Sequence, residues 1–319
     1  MQTAVLILNY NNPTDTINCI ESVLKYNTTH VKFVVVDNAS PAADCVDIID
    51  AWMKEKFDTD YKKFSELEEV DVPLPLATFI LTKQNHGYAQ GNNAGLRFIF
   101  NDQEVENVLV LNNDILFIAD IIPQLVKSLY TLPNAAVVSP LLLKKNGIDI
   151  DYNCARKDVD ITTLSINFLT LKKRLFTFQK KFKDNTLLLK TDPDLLESEN
   201  CEIQLPSGAC MLFNAKFFES IEGFDPSTFL YYEENILHSK ISKRGMKAYL
   251  IPKLRCIHLG ASTISKHKRR YEFDKKCDRS AWVYVNRYAN VPILQKLFFN
   301  SCFNIYSMNR YIIHKLKNN

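Results

Sequence analysis

The chain has 319 residues, 46% of them hydrophobic and 24% charged, so it can bury a large core and is not intrinsically disordered. Its formal net charge of +3 is too small for the positive field of a general nucleic-acid-binding protein. The eight cysteines form no CxxC pair and no zinc-type spacing with the six histidines, which indicates reduced thiols and a cytoplasmic protein.

The N-terminus reads MQTAVLILNYNN, which is typical of a β-strand and lacks the basic start, long apolar stretch and cleavage site of a signal peptide. We therefore expect no secretion. No segment approaches the ~20 uninterrupted apolar residues of a membrane-spanning helix. Any membrane contact is expected to be peripheral, on the inner face of the cell membrane.

Short apolar runs alternate with helical periodicity in the N-terminal half, which predicts βαβ units around a mainly parallel sheet. We predict strands at 3–8, 31–36, 78–81 and 108–111. Helices are predicted from Pro13 onward and at 46–57, 89–100 and 121–132. The acidic and proline-containing stretch 65–75 is interpreted as an inserted surface loop.

The second half is less regular, with a strand around Val137 and Val138 followed by a break in the alternation from 149 to 200. Within this break, the basic segment 172–183 places Leu175, Phe178 and Phe182 at helical spacing. It is either a solvated helix packed by one face or an amphipathic element at a membrane interface. The alternation of strands and helices then resumes, and we predict strands at 204–213, 248–251 and 255–258 and a helix at 233–243.

Beyond residue 262 the chain is basic and then helical to its end. The basic run from Lys266 to Arg270 would either meet a phosphate or form a solvated linker. The tail combines bulky apolar residues with Lys296, Arg310, Lys315 and Lys317. It is either a packed pair of terminal helices or a surface that rests on an anionic membrane leaflet.

Asp37 directly follows the apolar strand at 31–36, and a carboxylate there could accept the ring N–H of uracil or thymine. Alternatively, Asp37 and Ser40 cap the following turn. Further along, Gly87, Gly91 and Gly95 crowd three of the eight glycines into one strand-to-helix junction. They indicate either close approach of an anionic ligand to the backbone or tight packing of the helix on the sheet. Their spacing is not the G-x-G-x-x-G dinucleotide fingerprint.

The strand at 108–111 ends in Asn112, Asn113 and Asp114. Ligands of open α/β sheets lie outside the carboxyl ends of the strands, where an acidic oxygen can hold a hard divalent cation. We predict that Asp114 is a metal ligand; the alternative is that it caps the next helix. Asn112 would contact a ribose or metal-bound water, and Asn113 would turn the chain.

The order of these elements resembles the inverting family-2 glycosyltransferases of the GT-A fold. The resemblance continues in PSGACMLF at 206–213, similar to the acceptor-side strand of the family, and in FLYYEENILHSKISKRG at 229–245, similar to its aromatic and acidic helix start. It closes with CIHLGAS at 256–262, a His-x-x-Gly-x-Ser pattern, and spans most of residues 3–263. The most similar subgroup builds bacterial surface polysaccharide and includes rhamnosyltransferase-like members.

The resemblance implies an α/β fold of the GT-A type: a Rossmann-like, mainly parallel sheet flanked by helices, with a helical C-terminal appendage. Residues 1–115 would form the nucleotide-sugar-binding half, 116–260 the acceptor-binding half, and 261–319 the basic helical appendage. The donor would be a nucleoside-diphosphate sugar of the UDP or dTDP type. The acceptor would be a hydroxyl of a glycan or lipid-diphosphate-linked glycan, and no nucleic acid is expected.

The resemblance also implies site residues. Glu234 would be the general base, with Glu233 as the alternative, and Asp114 with His258 would hold Mg²⁺ or Mn²⁺. Nucleotide and sugar contacts would come from Asn9, Asp37, Asn85, Gly87, Gly91, Asn92, Asn112 and Asn113. The acceptor would meet Tyr231, Tyr232 and Gly208.

Two positions depart from the family pattern: Asn112 stands where the family often has aspartate, and Ile236 replaces a second downstream acid. His258 is either a ligand or a packed histidine, and the tyrosine pair stacks on a sugar or simply packs. Two other functions are the alternatives to glycosyl transfer. A sugar-nucleotide nucleotidyltransferase usually has a glycine- and lysine-rich loop after its first strand, whereas NYNNPTD has neither. A non-catalytic sugar-binding scaffold would not need Asp114, Glu234 and His258 together.

Overall fold

The computed structural model of the chain describes residues 1–69, 73–169, 187–260 and 271–318. The amphipathic segment predicted at 172–183 and the basic run from Lys266 to Arg270 lie outside these residues. Within the described ranges, none of the helices is both long enough and apolar enough to cross a bilayer. All eight cysteines are buried and unbridged.

The N-terminal half alternates strands and helices, as the hydrophobic pattern predicts. Its strands are β1 (Gln2–Asn9), β2 (Val31–Asp37), β3 (Tyr61–Ser65), β4 (Ala77–Leu81) and β5 (Val105–Asn112). Its helices are α1 (Pro13–Tyr26), α2 (Cys45–Phe57) and α3 (Gly87–Asn101). The five strands are parallel in the order β3, β4, β2, β1, β5. Every residue of β2 is buried, because helices cover both faces of a parallel sheet.

The second half adds strands of unequal length to the same sheet and a small separate pair. The strands are β6 (Ile115–Phe117), β7 (Ala135–Lys144), β8 (Ala155–Arg156), β9 (Cys201–Ile203), β10 (Leu205–Pro206), β11 (Cys210–Asn214) and β12 (Lys247–His258). The helices are α4 (Ile122–Thr131), α5 (Ile161–Leu169), α6 (Leu188–Thr191), α7 (Ala215–Ser220) and α8 (Glu233–Ser242).

Strand β11 joins the two halves of the sheet. It lies antiparallel between β5 and β7, and β7 continues to β12 and β6. Strand β9 pairs with β12, and β8 pairs with β10 in a separate ribbon. The predicted fold class is therefore confirmed: a mixed, mainly parallel sheet flanked by helices.

Three local predictions were wrong. The stretch predicted as one strand at 204–213 is two strands, β10 and β11, separated by a turn at Gly208. The two strands predicted at 248–251 and 255–258 are one strand, β12, with a register shift after Ile251 where Pro252 cannot donate to the ladder. Strand β3 was missed because its exposed Lys62 and Lys63 make it a polar edge strand without an apolar run.

A second hydrophobic core lies under the C-terminal helices α9 (Tyr271–Val283) and α10 (Ile293–Asn318), which a π-helical turn at Tyr284–Tyr288 separates in the chain. Phe168 of α5 is fully buried in this core. Its ring lies 5.6 Å from the ring of Phe299 and 5.0 Å from that of Tyr306. The helical C-terminal appendage predicted from the tail is present and is packed by one face.

Candidate functional site

Asp114 and His258 are brought together by sheet pairing. Asp114 lies in the turn between β5 and β6, and His258 is the last residue of β12, paired with Ile115. The Asp114 carboxylate Oδ1 lies 3.5 Å from Nε2 of His258, and the Asp114 carbonyl accepts a 2.9 Å hydrogen bond from the amide of Leu259. Both predicted metal ligands therefore share one corner at the carboxyl edge of the sheet.

Asp151 completes this corner and was not predicted. Its Oδ2 lies 2.9 Å from Nδ1 of His258, so the imidazole is held between two carboxylates. Burial opposes a charge on His258, but its hydrogen bonds with Asp114 and Asp151 outweigh burial and raise its pKa to about 10. The hydrogen bond from His258 in turn lowers the pKa of Asp151 to about 2. At neutral pH the His258 side chain is therefore protonated, as an imidazolium.

Among the described residues, no group of three histidine, cysteine or acidic side chains is arranged as a complete set of metal ligands. Asp114 and Asp151 supply carboxylate oxygens, which suit a hard divalent cation. A cation held there would need further oxygen ligands, and His258 could join it only after losing its proton.

The second acidic corner begins at helix α8. Tyr231 and Tyr232 precede this helix with φ of 71° and 69°, a left-handed conformation that non-glycine residues adopt at an energetic cost. The ring of Tyr232 stacks on that of Tyr284 at 5.8 Å, so the packing alternative applies to this tyrosine, whereas Tyr231 is about half exposed. This strained pair directs Glu233 and Glu234 from the first turn of α8.

Glu234 is held by two donors from other parts of the chain. Its Oε1 accepts a 3.0 Å hydrogen bond from the amide of Gly208 and lies 3.3 Å from Nη2 of Arg156. A Cβ on Gly208 would lie 3.0 Å from the Tyr88 hydroxyl and 3.1 Å from Oε1 of Glu234. A side chain at this position would therefore push the Tyr88 hydroxyl or the Glu234 carboxylate aside by a few tenths of an ångström.

Glu233 is in a different environment from its neighbour. It is buried, and its Oε1 has no hydrogen-bond partner in the described part of the chain. Burial, together with the charge of Glu234, raises the pKa of Glu233 to about 8, so it is mainly protonated at neutral pH. The Nε of Arg156 is likewise buried and unpartnered among the described residues. Buried polar atoms normally have partners, so these two indicate a site for a polar ligand.

The two acidic corners belong to one connected edge. The amide of Asn112 donates to the carbonyl of Ala209 over 2.9 Å, and the residue before Ala209, Gly208, donates its amide to Glu234. A second link is the segment from Asp151 to Arg156, which contacts His258 at one end and Glu234 at the other. The five peptide steps of this segment span at most ~18 Å, so the two acidic corners lie close together at this edge of the sheet.

Asp37 and Asn9 form a buried polar cluster at the ends of β1 and β2. The Asp37 carboxylate accepts 2.6 Å hydrogen bonds from Nδ2 of Asn9 and from the hydroxyl of Ser40, and a 2.9 Å bond from the Ser40 amide. The turn-capping alternative thus describes Asp37 in this structure. Nearby, Asn113 donates to the hydroxyl of Thr16 over 3.0 Å, which fits its predicted role in turning the chain.

The glycine-rich junction is held by hydrogen bonds to Asn38, a residue that was not predicted to belong to the site. Asn38 accepts from the amide of His86 and donates to the carbonyl of Gly87, both over 2.9 Å, and it also contacts Asn85. Gly87 has φ of +74°, and a Cβ there would lie 2.0 Å from the carbonyl oxygen of Phe229. The only sequence signal for Asn38 was its position beside Asp37.

The rest of α3 supports the packing alternative for the glycines. A Cβ on Gly91 would lie 2.8 Å from Leu8, and one on Gly95 would lie 2.3 Å from Leu6, so both let the helix approach the sheet closely. Asn92 is fully buried, and its amide donates to the carbonyl of Tyr88 over 2.9 Å. These residues shape the wall of the site without exposing their own side chains to it.

A cavity of about 570 Å³ adjoins this wall, between the start of α3 and the C-terminal helices. His86, Phe229 and the basic side chains of Lys275, Lys276 and Arg279 are among its lining residues. It lies beside the glycine-rich junction, and neither Asp114 nor Glu234 lines it.

Comparisons with known proteins give a consistent result. Residues 4–221 match the model of the family described as glycosyl transferase family 2. The low-salt glycan biosynthesis hexosyltransferase Agl10 of Haloferax volcanii is 24% identical over 234 residues, which cover 72% of this chain and 58% of that protein. The chain therefore spans little more than half the length of this relative.

Solved structures also resemble the chain. The mannosyltransferase PcManGT from Pyrobaculum calidifontis, in complex with GDP-Man and Mn²⁺, aligns with a TM-score of 0.55 at 16% identity, over 94% of this chain and 68% of its own. GalNAc-T7 with UDP, GalNAc and Mn²⁺ aligns with a TM-score of 0.57 at 14% identity, over 96% of this chain and 56% of its own. At these identities the likeness shows a shared fold, the GT-A fold.

Proposed function

The chain belongs to glycosyl transferase family 2, and we propose that it transfers a hexosyl or deoxyhexosyl group from a nucleoside-diphosphate sugar to an acceptor hydroxyl with inversion. The observation that carries this proposal is the backbone connection between the Asp114 and Glu234 corners, through Ala209 and Gly208. Inverting transfer is a single displacement that needs charge stabilisation on the leaving-group side and a base on the acceptor side. The two corners offer one acid for each task.

Asp114 and Asp151 are the residues that would hold Mg²⁺ or Mn²⁺ beside the donor diphosphate. When bound, the cation would offset the negative charge that develops on the departing diphosphate. The donor set fits in its chemistry, because Asp114 and Asp151 both direct carboxylate oxygens toward the same side chain, His258. Two structural relatives hold Mn²⁺ together with a nucleotide, which supports this assignment.

Glu234 is the proposed general base. Its contacts with Gly208 and Arg156 are made through Oε1, so Oε2 is the oxygen that would take the proton of the acceptor hydroxyl. As the oxygen of the acceptor hydroxyl attacks the anomeric carbon, the bond between that carbon and the diphosphate breaks and the hydroxyl proton passes to Glu234. A positioned base of this kind contributes about 10²- to 10⁴-fold to the rate.

We further propose that the donor is of the UDP or dTDP type and that the acceptor is a glycan or lipid-diphosphate-linked glycan of a cell-surface polysaccharide. The cavity beside α3 supports an acceptor that carries a phosphate, because its lining cations, Lys275, Lys276, Arg279 and Arg310, outnumber its lining acids, Glu272 and Asp278. In this proposal the protein works in the cytoplasm, at the inner face of the cell membrane. The named hexosyltransferase relative supports a glycan product.

Nucleotide-sugar turnover tests the proposal. The full chain is incubated with a panel of UDP, dTDP and GDP sugars, with Mn²⁺ or with chelator, and slow hydrolytic release of the nucleoside diphosphate is measured. We expect release from one donor class only, dependent on the metal. Release that is equal for all nucleotides, or none with any donor, would contradict the proposal.

A further inference from the structure

Helix α10 has apolar side chains on two different faces. One face is buried: Phe299, Cys302 and Tyr306 pack in the second core, where Phe168 of α5 meets two of their rings. Because this face is anchored along the body of the protein, the helix lies on the surface with its opposite face toward solvent.

That opposite face carries a continuous apolar stripe. Seven large apolar side chains on it are between 44% and 76% exposed: Leu294, Leu297, Phe298, Ile305, Met308, Ile312 and Leu316. At 3.6 residues per turn they fall within a strip roughly 100° wide. The strip runs about 33 Å along the helix, given a rise of 1.5 Å per residue.

Exposed apolar residues on soluble proteins are usually scattered, whereas a contiguous strip marks a surface that something covers. The charge of α10 narrows the choice of partner. The helix contains no aspartate or glutamate from 293 to 318, so nothing in it repels an anionic surface. Lys315 flanks the strip and is exposed, as is Tyr311, a residue type that favours the boundary between apolar and aqueous phases.

Another basic residue of α10, Arg310, points to the packed side. It bonds to Asp278 over 2.7 Å and to Asp274 over 2.9 Å, so it fastens α10 to α9. The apolar strip is therefore held outward by a fixed contact on the opposite face of the same helix.

We propose that the exposed strip of α10 docks on an anionic lipid bilayer, with the helix axis in the plane of the membrane. Insertion of the strip among the acyl chains would bury its seven side chains, and Lys315 would meet the anionic headgroups. A second copy of the chain fits less well, because α10 has no acidic residue to pair with the cations of a symmetry mate.

Vesicle flotation tests this docking. The full chain is mixed with vesicles of phosphatidylcholine alone or of phosphatidylcholine with phosphatidylglycerol at about seven to three. A triple variant, Leu294→Ser, Met308→Ser and Leu316→Ser, changes only strongly exposed side chains, so its fold is expected to persist and is checked by circular dichroism. The matched control replaces two equally exposed apolar residues elsewhere, Leu67→Ser and Ile148→Ser.

We expect the parent and the control to float with the anionic vesicles, and the triple variant to float at least about tenfold less. Binding to phosphatidylcholine alone should be weaker. The proposal is overturned if the parent stays with the soluble fraction, if the triple variant floats like the control, or if gel filtration shows a dimer that the triple variant disrupts while neither binds vesicles. No sugar nucleotide is present in this assay, so its failure leaves the proposed glycosyl transfer untouched.

Discussion

The amide of Gly208 donates a 3.0 Å hydrogen bond to Oε1 of Glu234, and a methyl group on Gly208 would lie 3.1 Å from that oxygen. One glycine therefore both holds the proposed base and leaves room for it. The contact joins the turn before β11 to the first turn of α8, residues 26 apart in the chain. The position of the Glu234 carboxylate therefore depends on the backbone beside β5, the strand that leads to Asp114.

We first predict the effect of a methyl group at this contact. Gly208→Ala should displace Glu234 or the Tyr88 hydroxyl and lower turnover about 10- to 10²-fold, with little change in nucleotide affinity. Steady-state kinetics and calorimetric nucleotide titration measure the two effects. Gly245→Ala is the control: its Cβ would meet nothing within 4 Å, but its φ of +68° makes it strained. It should lower stability and leave turnover nearly intact, and equal kinetic loss in both variants would contradict the contact.

The two neighbouring glutamates should behave differently at neutral pH. Glu234→Gln removes the proposed base and should lower turnover about 10²- to 10⁴-fold without weakening nucleotide binding. Glu233→Gln should cost much less, because a pKa of about 8 already keeps this group mainly uncharged at pH 7. Turnover of the Glu234 variant within a few-fold of the parent would reject it as the base.

The raised pKa of Glu233 also predicts a pH-dependent stability. Because its folded pKa of about 8 exceeds the ordinary glutamate value of 4.5, its contribution to stability is fully present below pH 4.5 and is lost as the pH rises through about 8. Urea unfolding of the parent should therefore show stability falling over this range. Glu233→Gln should flatten that part of the profile and be the more stable protein at pH 9. Parallel profiles for parent and variant would show that Glu233 has no raised pKa.

His258 gives a second titration, measured on protein treated with chelator. Its pKa of about 10, above the ordinary histidine value of 6.5, means that its charge stabilises the fold fully below pH 6.5 and that this contribution fades as the pH rises through about 10. Asp151, with a pKa lowered to about 2 from 3.8, contributes above pH 3.8 and fades as the pH falls through about 2. In NMR titrations, Asp151→Asn should lower the pKa of His258. His258→Gln removes the His258 signal and so identifies it in the spectra. An unchanged pKa of His258 in the Asp151 variant would contradict the pairing.

Metal-dependent binding tests the other corner. Asp114→Ala should abolish the Mn²⁺-dependent part of nucleotide binding, and Asp151→Ala should weaken it, because each removes one carboxylate from the same cluster. Titration calorimetry with Mn²⁺ and with chelator measures the difference. Asp194→Ala, at an exposed acid of the short 3-10 helix Pro193–Glu197, is the control and should bind like the parent. If nucleotide binding by the Asp114 variant still responds to Mn²⁺, Asp114 does not belong to the proposed metal site.

Much of the site could be anticipated because its signals are local. An apolar run that ends in Asp37 or in Asn112 and Asp114 places polar groups at the carboxyl edge of a parallel sheet, whatever the other strands do. The acidic pair at 233–234 likewise marks a helix start through its own neighbours. Asp151 and Arg156 carry no such signal, since they lie in a stretch without periodicity and gain meaning only from contacts with residues 107 and 78 positions away.

The sequence by itself determined the class of fold and most of the strands and helices of the N-terminal half, because hydrophobic periodicity and strand termini act over a few neighbouring residues. Only the tertiary structure decided which strand ends meet. The insertion of β11 between β5 and β7 brings Ala209, next to Gly208, beside Asn112, and the pairing of β12 with β6 brings His258 to Asp114. Those encounters depend on strand order and register between residues that are far apart in the chain, and no local pattern encodes them.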